Sequence, residues 1–248
     1  METLGPLELA FAALVLVTAY AVRGTAGFGG QTLAVPLLVL VLPLPTVVST
    51  VVVFTMMSSI GHWMRDWRRI SWREIARLLP YSLAGVLAGL YALHQVEMRT
   101  LIRILGVFII FYSIFALATA NRPLRIAGRY RGAARAAFST LAGAASAVFG
   151  AGSGPIYAIY FNQLWMERDV FRVTITTILA FQASMRIAGY VQLGFYDQDV
   201  LILVAAGVPM VVIGAGIGDW LAGRLDQHWF DRGISALLLV SGVALLLK

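Results

Sequence analysis

The chain has 248 residues, 60% of them hydrophobic and 12% charged, with a mean hydropathy of +0.83. A soluble domain carries roughly 25% charged residues, so this chain lacks the polar surface to face water on all sides, and bilayer lipid is its solvent. The formal charge of +7 comes from 18 arginines and Lys248, spread through short loops between apolar runs; that is the pattern of membrane topology, and it argues against nucleic acid as a partner.

A membrane-spanning chain is either helical or a closed barrel. The apolar runs here are continuous, where barrel strands would alternate over about 10 residues, so the expected class is an all-α polytopic membrane protein. Ten apolar segments are read in chain order, at 7–22, 27–43, 46–63, 75–94, 99–119, 134–150, 153–165, 170–192, 199–219 and 231–247. The N-terminus lacks a basic stretch and does not read as a cleaved signal peptide. The first, second, sixth and seventh segments are short against the ~30 Å hydrocarbon core. Each short pair is therefore either two thin spans or a re-entrant hairpin, and eight full spans plus hairpin pieces is the alternative count.

The first pair is joined by Thr25-Ala26-Gly27-Phe28-Gly29-Gly30 and the second by Ser146-Ala147-Val148-Phe149-Gly150-Ala151-Gly152-Ser153-Gly154-Pro155. Phe28-Gly29 and Phe149-Gly150 lie 121 residues apart. Matching glycine-interrupted segments in two halves are the sequence pointer to a transporter's substrate site. Pro80-x4-Gly85-x3-Gly89 recurs as Pro209-x4-Gly214-x3-Gly218 at offset 129, and Met64-Arg65 recurs as Met185-Arg186 at 121. The halves thus read as 1–120 and 136–248, joined by a basic linker, 121–135, with eight extra residues entering between Arg186 and Pro209. The GxxxG spacing also serves close helix packing alone.

Arginine clusters at Arg65, Arg68, Arg69, Arg73 and Arg77, at Arg122, Arg125, Arg129, Arg131 and Arg135, and more weakly at Arg168 with Arg172 and Arg224 with Arg232, are expected to face the cytoplasm. The loops at 43–46 and 193–199, free of Lys and Arg, are expected outside. Alternation over ten segments puts both termini outside. Five segments per half is an odd number, so the second half is inverted relative to the first.

Glycines at close spacing admit backbone conformations closed to other residues, and irregular backbone in a membrane belongs beside a cavity. Helices starting at Gly29-Gly30-Gln31-Thr32 and Ser153-Gly154-Pro155 would aim their N–H groups and positive dipole ends into that cavity, near the midplane, where a compact anion fits. The candidate substrate-binding residues are Arg23, Thr25, Gly27, Phe28, Gly29, Gly30, Gln31, Ser146, Gly150, Gly152, Ser153, Gly154, Gln182 and Arg186. Asn162 and Gln163 could also reach it. Arg23 is deep and anion-seeking if the break lies at mid-membrane, and interfacial if it lies at the surface. Arg186, inside a long apolar run, is expected to snorkel toward the outer face. Asp219 is the deepest acid and is expected at a cytoplasmic helix end. Three scattered histidines and the absence of cysteine leave no metal or thiol centre to propose, and neither a cofactor nor a catalytic set is expected. Ser153 has no histidine near it in sequence, and Gly-Ala-Gly-Ser-Gly lacks the lysine of a nucleotide loop.

At Gly24-x2-Gly27-Phe28-Gly29-Gly30 with Pro36, and at Ser146-x2-Phe149-Gly150-x-Gly152-Ser153-Gly154-Pro155, the sequence resembles the sulfite exporter TauE/SafE family of membrane permeases. The resemblance extends to the size, the two halves and the basic linker. It implies an inner-membrane carrier of small sulfur-containing or carboxylate anions, such as sulfite or organosulfonates. Ser153 stands where the family often continues with glycine. Alternating access around the glycine breaks is the expected mechanism; an anion channel and a membrane scaffold without flux are the alternatives. A homodimer is compatible with the small residues on the helix faces.

Overall fold

A computed structural model describes residues 5–119, 131–161, 164, 166–221 and 227–247. Linker residues Arg122, Arg125 and Arg129, together with Arg224, Asn162 and Gln163, lie outside them, as do the side chains of Arg65, Arg131, Arg168 and Arg232. The described residues form ten α-helices and no strand: α1 Pro6–Ala26, α2 Gly30–Leu38, α3 Leu44–Asp66, α4 Trp72–Gln95, α5 Met98–Thr119, α6 Arg131–Phe149, α7 Ser153–Phe161, α8 Arg168–Gln192, α9 Gln198–Leu221 and α10 Gln227–Leu247. A 3₁₀ turn, Trp67–Arg69, joins α3 to α4.

Each expected apolar segment holds one helix, but the short ones are redistributed. The first and sixth segments are not short: α1 has 21 residues and α6 has 19. The deficit falls wholly on α2 and α7, nine residues each, or about 13 Å of rise and less than half a bilayer core. Eight of the described helices are thus long and two are half-length. Five helices (α1, α3, α4, α5 and α9) are long and apolar enough to cross a membrane by composition. Exposed Leu87 and Tyr91 on α4, Val107 and Phe111 on α5, Val212 and Ile213 on α9, and Val240 and Val243 on α10 form the apolar exterior that lipid covers.

The halves interlock. The α9 glycines Gly214 and Gly218 lie against the carbonyls of Val17 and Ala21 on α1, and the α4 glycines Gly85 and Gly89 lie against those of Thr140 and Ala144 on α6. A Cβ at any of these four would run into backbone, which explains the small residues at that spacing. The partner numbers rise together, so both pairs run parallel. At the centre, α3 and α8 run antiparallel: the Trp63 indole N–H donates to Thr177 Oγ1 at 2.9 Å, while Ser184 meets Met56 Sδ at 3.8 Å.

The two breaks share one backbone design. Gly27 and Gly29 are left-handed (φ 81° and 95°), as are Gly150 and Gly152 (φ 66° and 90°). The Gly27 N–H closes α1 on the Arg23 carbonyl (2.7 Å) and the Gly150 N–H closes α6 on the Ser146 carbonyl (2.9 Å). The next helix starts with Leu33 bonding Gly29 in one case and Ile156 bonding Gly152 in the other. Every equivalent pair is 123 residues apart (27 to 150, 29 to 152). The offset of 121 suggested by the two Phe-Gly dipeptides is thus corrected by two residues: a left-handed turn is what needs glycine, and the neighbouring phenylalanines are not equivalent.

Candidate functional site

The N-termini of α2 and α7 meet. Gln31, the second residue of α2, donates from Nε2 to Oγ of Ser153, the first residue of α7, at 3.0 Å. Beside this contact, a Cβ on Gly154 would press on Phe28, so the two breaks touch. The first three N–H groups of a helix have no partner within it. Two such ends, about 13 Å helices apiece, therefore face one small region with donors and the positive ends of their dipoles.

Two arginines close that region. Arg23 and Arg186 are each 1% exposed. Arg23 Nη2 donates to Ser59 Oγ at 2.9 Å and to the Thr55 carbonyl at 3.4 Å. Arg186 Nη1 donates to Gln31 Oε1 at 3.3 Å, and its guanidinium lies 5.8 Å from the centre of the Tyr190 ring. The Thr55 hydroxyl is shared between the Val51 carbonyl (2.9 Å) and Gln31 Oε1 (3.4 Å). Gln31 thus joins four elements: α2, α7, α3 through Thr55 and α8 through Arg186. Tyr20, packed edge-on to Phe54, feels the charge of both guanidiniums.

Among the described residues no ion pair involves either arginine: the pairs join Arg69 to Asp169, Arg77 to Glu74 and Arg172 to Asp66. Arg23 Nε and Nη1 and Arg186 Nε and Nη2 are buried without a hydrogen-bond partner. An uncompensated buried charge costs several kcal/mol, and a membrane-centred arginine at least about 2.5 kcal/mol on insertion scales. Arg23 and Arg186 therefore hold buried donors that the described residues leave unpaired.

The expectation that Arg186 snorkels is overturned: it points inward, held by Gln31. Arg23 is buried, with Gly30 packed back beside it and the break capping α1 one turn later. Two expected residues do not reach the cluster. Thr25 donates to the Val22 carbonyl (2.8 Å) and Ser146 to that of Gly143 (2.8 Å), each within its own helix. Gly27, Gly29, Gly150 and Gly152 build the turns and present no side chain. Gln182 is buried one turn before Arg186 and donates to Ser82 Oγ and the Tyr157 hydroxyl. Asp219 is exposed two residues from the end of α9. Sequence reading missed Tyr20, Thr55, Ser59 and Tyr157. The signal for two of them was there: Thr55 and Ser59, four apart in an apolar run, share one helix face.

The breaks sit at opposite ends of the central pair. A Cβ on Gly27 would strike Arg172, in the second turn of α8, and one on Gly150 would strike Val48, in the second turn of α3. Because α3 and α8 are antiparallel, those turns are far apart, yet Gln31 and Ser153 meet between them. Thr55, the level of that meeting, lies 11 residues from each end of α3 (44 to 55, 55 to 66).

Residues 11–245 match the family described as Sulfite exporter TauE/SafE. The chain is also similar to the probable inner membrane transporter protein TsaS of Comamonas testosteroni, 26% identical over 198 residues that cover 79% of this chain and 80% of the relative. No solved structure matches it.

Proposed function

The chain belongs to the sulfite exporter TauE/SafE family and is a multi-pass inner-membrane transporter, and from that premise we propose that it carries small sulfur oxyanions or organosulfonates through a site made by Arg23, Gln31, Ser153 and Arg186. The observation that carries this reading is the pair of buried guanidiniums with four unpartnered N–H positions and, among the described residues, no carboxylate paired to either. A tetrahedral or trigonal oxyanion supplies several acceptor oxygens in a small volume and satisfies such donors with charge-assisted bonds.

The mechanism is alternating access around this site, with the halves related by an inverted two-fold. Support comes from the matched breaks at opposite ends of the antiparallel α3/α8 pair and from the interlocked α1/α9 and α4/α6 pairs. The level of Thr55, midway along α3, supports a midplane position. Arginine placement in the sequence supports a cytoplasmic α3–α4 turn and α8 start, with both termini outside. Phe28 and Gly29 are partly exposed whereas Gly150 to Gly154 are buried, which fits a state open toward the cytoplasm through the first break and closed at the second. An anion leaving the cell gains about 2.3 kcal/mol per charge per 100 mV, enough to drive export without ATP.

The test is efflux of sulfite from proteoliposomes of the purified protein under an imposed potential. Flux should saturate and should vanish in Arg23→Met/Arg186→Met. Undiminished flux in that double variant, with the protein still folded, sinks the site; unsaturable flux at channel rates replaces the carrier with a pore.

A further inference from the structure

Residues four apart on a helix share a face, one turn and about 6 Å apart. Ser153 and Tyr157 are so related on α7, and Gln182 and Arg186 on α8. Their contacts cross in register: Ser153 and Arg186 both bond Gln31, and Tyr157 bonds Gln182. The two helices therefore carry two polar rungs. One is the anion cluster. The other joins Gln182, Tyr157 and, from α4, Ser82.

The second rung is buried and unfinished. Gln182, Ser82, Tyr157 and neighbouring Ser139 are all 0% exposed, and Gln182 Oε1 and Ser139 Oγ have no hydrogen-bond partner. Leaving a buried polar atom unpaired is costly, and structure alone does not call for a glutamine here. The next positions outward on the same faces, Phe161 on α7 and Ile178 on α8, are apolar and buried, and they end the polar track.

We propose that this rung is a second subsite, which takes a hydroxyl carried by the transported anion about one helical turn from its charged group. The proposal rests on the anion reading of the first rung. Gln182 is tied to two hydroxyls, and a hydroxyl serves an amide carbonyl or an amide N–H equally well. The amide can therefore present either edge to a ligand, and a hydroxyl, as both donor and acceptor, satisfies either. Substrates would be short hydroxylated sulfonates, preferred over their unsubstituted counterparts.

The test compares two ligands that differ by one oxygen, 3-hydroxypropanesulfonate and propanesulfonate, with sulfite as reference. Dissociation constants are measured by calorimetry on the full-length protein in detergent. The hydroxylated ligand should bind about three- to tenfold tighter, the worth of a hydrogen bond. That ratio should collapse toward one in Gln182→Leu and shrink in Tyr157→Phe, the latter serving alone if the former does not fold. A ratio near one in the unaltered protein overturns the subsite, as does a high ratio that survives in both variants. Sulfite binding without either sulfonate overturns it too while leaving the first rung intact. Failure of all three ligands overturns the anion reading beneath it.

Discussion

The two glycine breaks have the same backbone and opposite contents. Both cap a long helix with a left-handed glycine, skip a residue, turn again and start a nine-residue helix. At the first, Arg23 occupies the position that Ser146 occupies at the second, and Gln31 the position of Gly154, each 123 residues on. The first break brings a charge and an amide to the centre; the second brings a hydroxyl and bare backbone. The second cation comes from the other half but from α8, not from the matching helix. The same backbone turn therefore occurs twice, and the proposed site on it is asymmetric. A ligand held by such a site has a defined orientation, which two identical halves would not impose.

The largest effect should come from removing charge, which tests whether the asymmetry is functional. Arg23→Met or Arg186→Met should lower sulfite flux on the order of 100-fold or more, the scale of losing one partner of a buried ionic contact. The melting temperature of the ligand-free protein should rise, because an unpaired buried charge has gone. A fall in melting temperature would make these arginines structural.

The backbones themselves can be separated next. Gly29→Ala carries the left-handed penalty of about 1–2 kcal/mol, with only Val22 close by. Gly152→Ala carries the same penalty and drives a methyl into the Phe108 ring, for about 1–3 kcal/mol more. Chemical or thermal unfolding should rank Gly152→Ala clearly below Gly29→Ala. Equal losses would mean the second break is as loosely packed as the first.

Smaller effects should divide the polar residues. Gln31→Leu removes the junction of four elements and should weaken sulfite binding about tenfold, whereas Ser153→Ala should cost about threefold, near the average of about 0.6 kcal/mol for an interhelical hydrogen bond in membranes. Reversal of that order would move the hub from the first break to the second. Thr25→Val and Ser146→Ala, equivalent in neither position nor partner but alike in bonding their own helices, should change binding less than twofold.

Helix number and the position of both breaks were legible because hydropathy and glycine are strong local signals. The register was not: Phe28-Gly29 resembles Phe149-Gly150 in letters, but dihedral angles pair Gly27 with Gly150. Nor was the inward course of Arg186, since a run of apolar neighbours looks the same whether an arginine seeks water or a glutamine 155 residues away. Thr55 and Ser59 were hidden for a related reason. Hydroxyls in apolar helices usually bond the preceding turn, and both do so here as well as serving the cluster.

Helix α8 carries Arg186 and Gln182 within its 25 residues, yet it is not among the five helices apolar enough to enter a membrane by composition. During synthesis it emerges after α3, whose Trp63 indole and Met56 sulfur later meet its Thr177 and Ser184. Its insertion is thus a partnered event: the earlier helix must wait, already threaded, for the later one. A ribosome stalled before α8 would leave Gln31 without Arg186 and Trp63 without Thr177, so quality-control proteases should meet this protein chiefly as its unfinished first half.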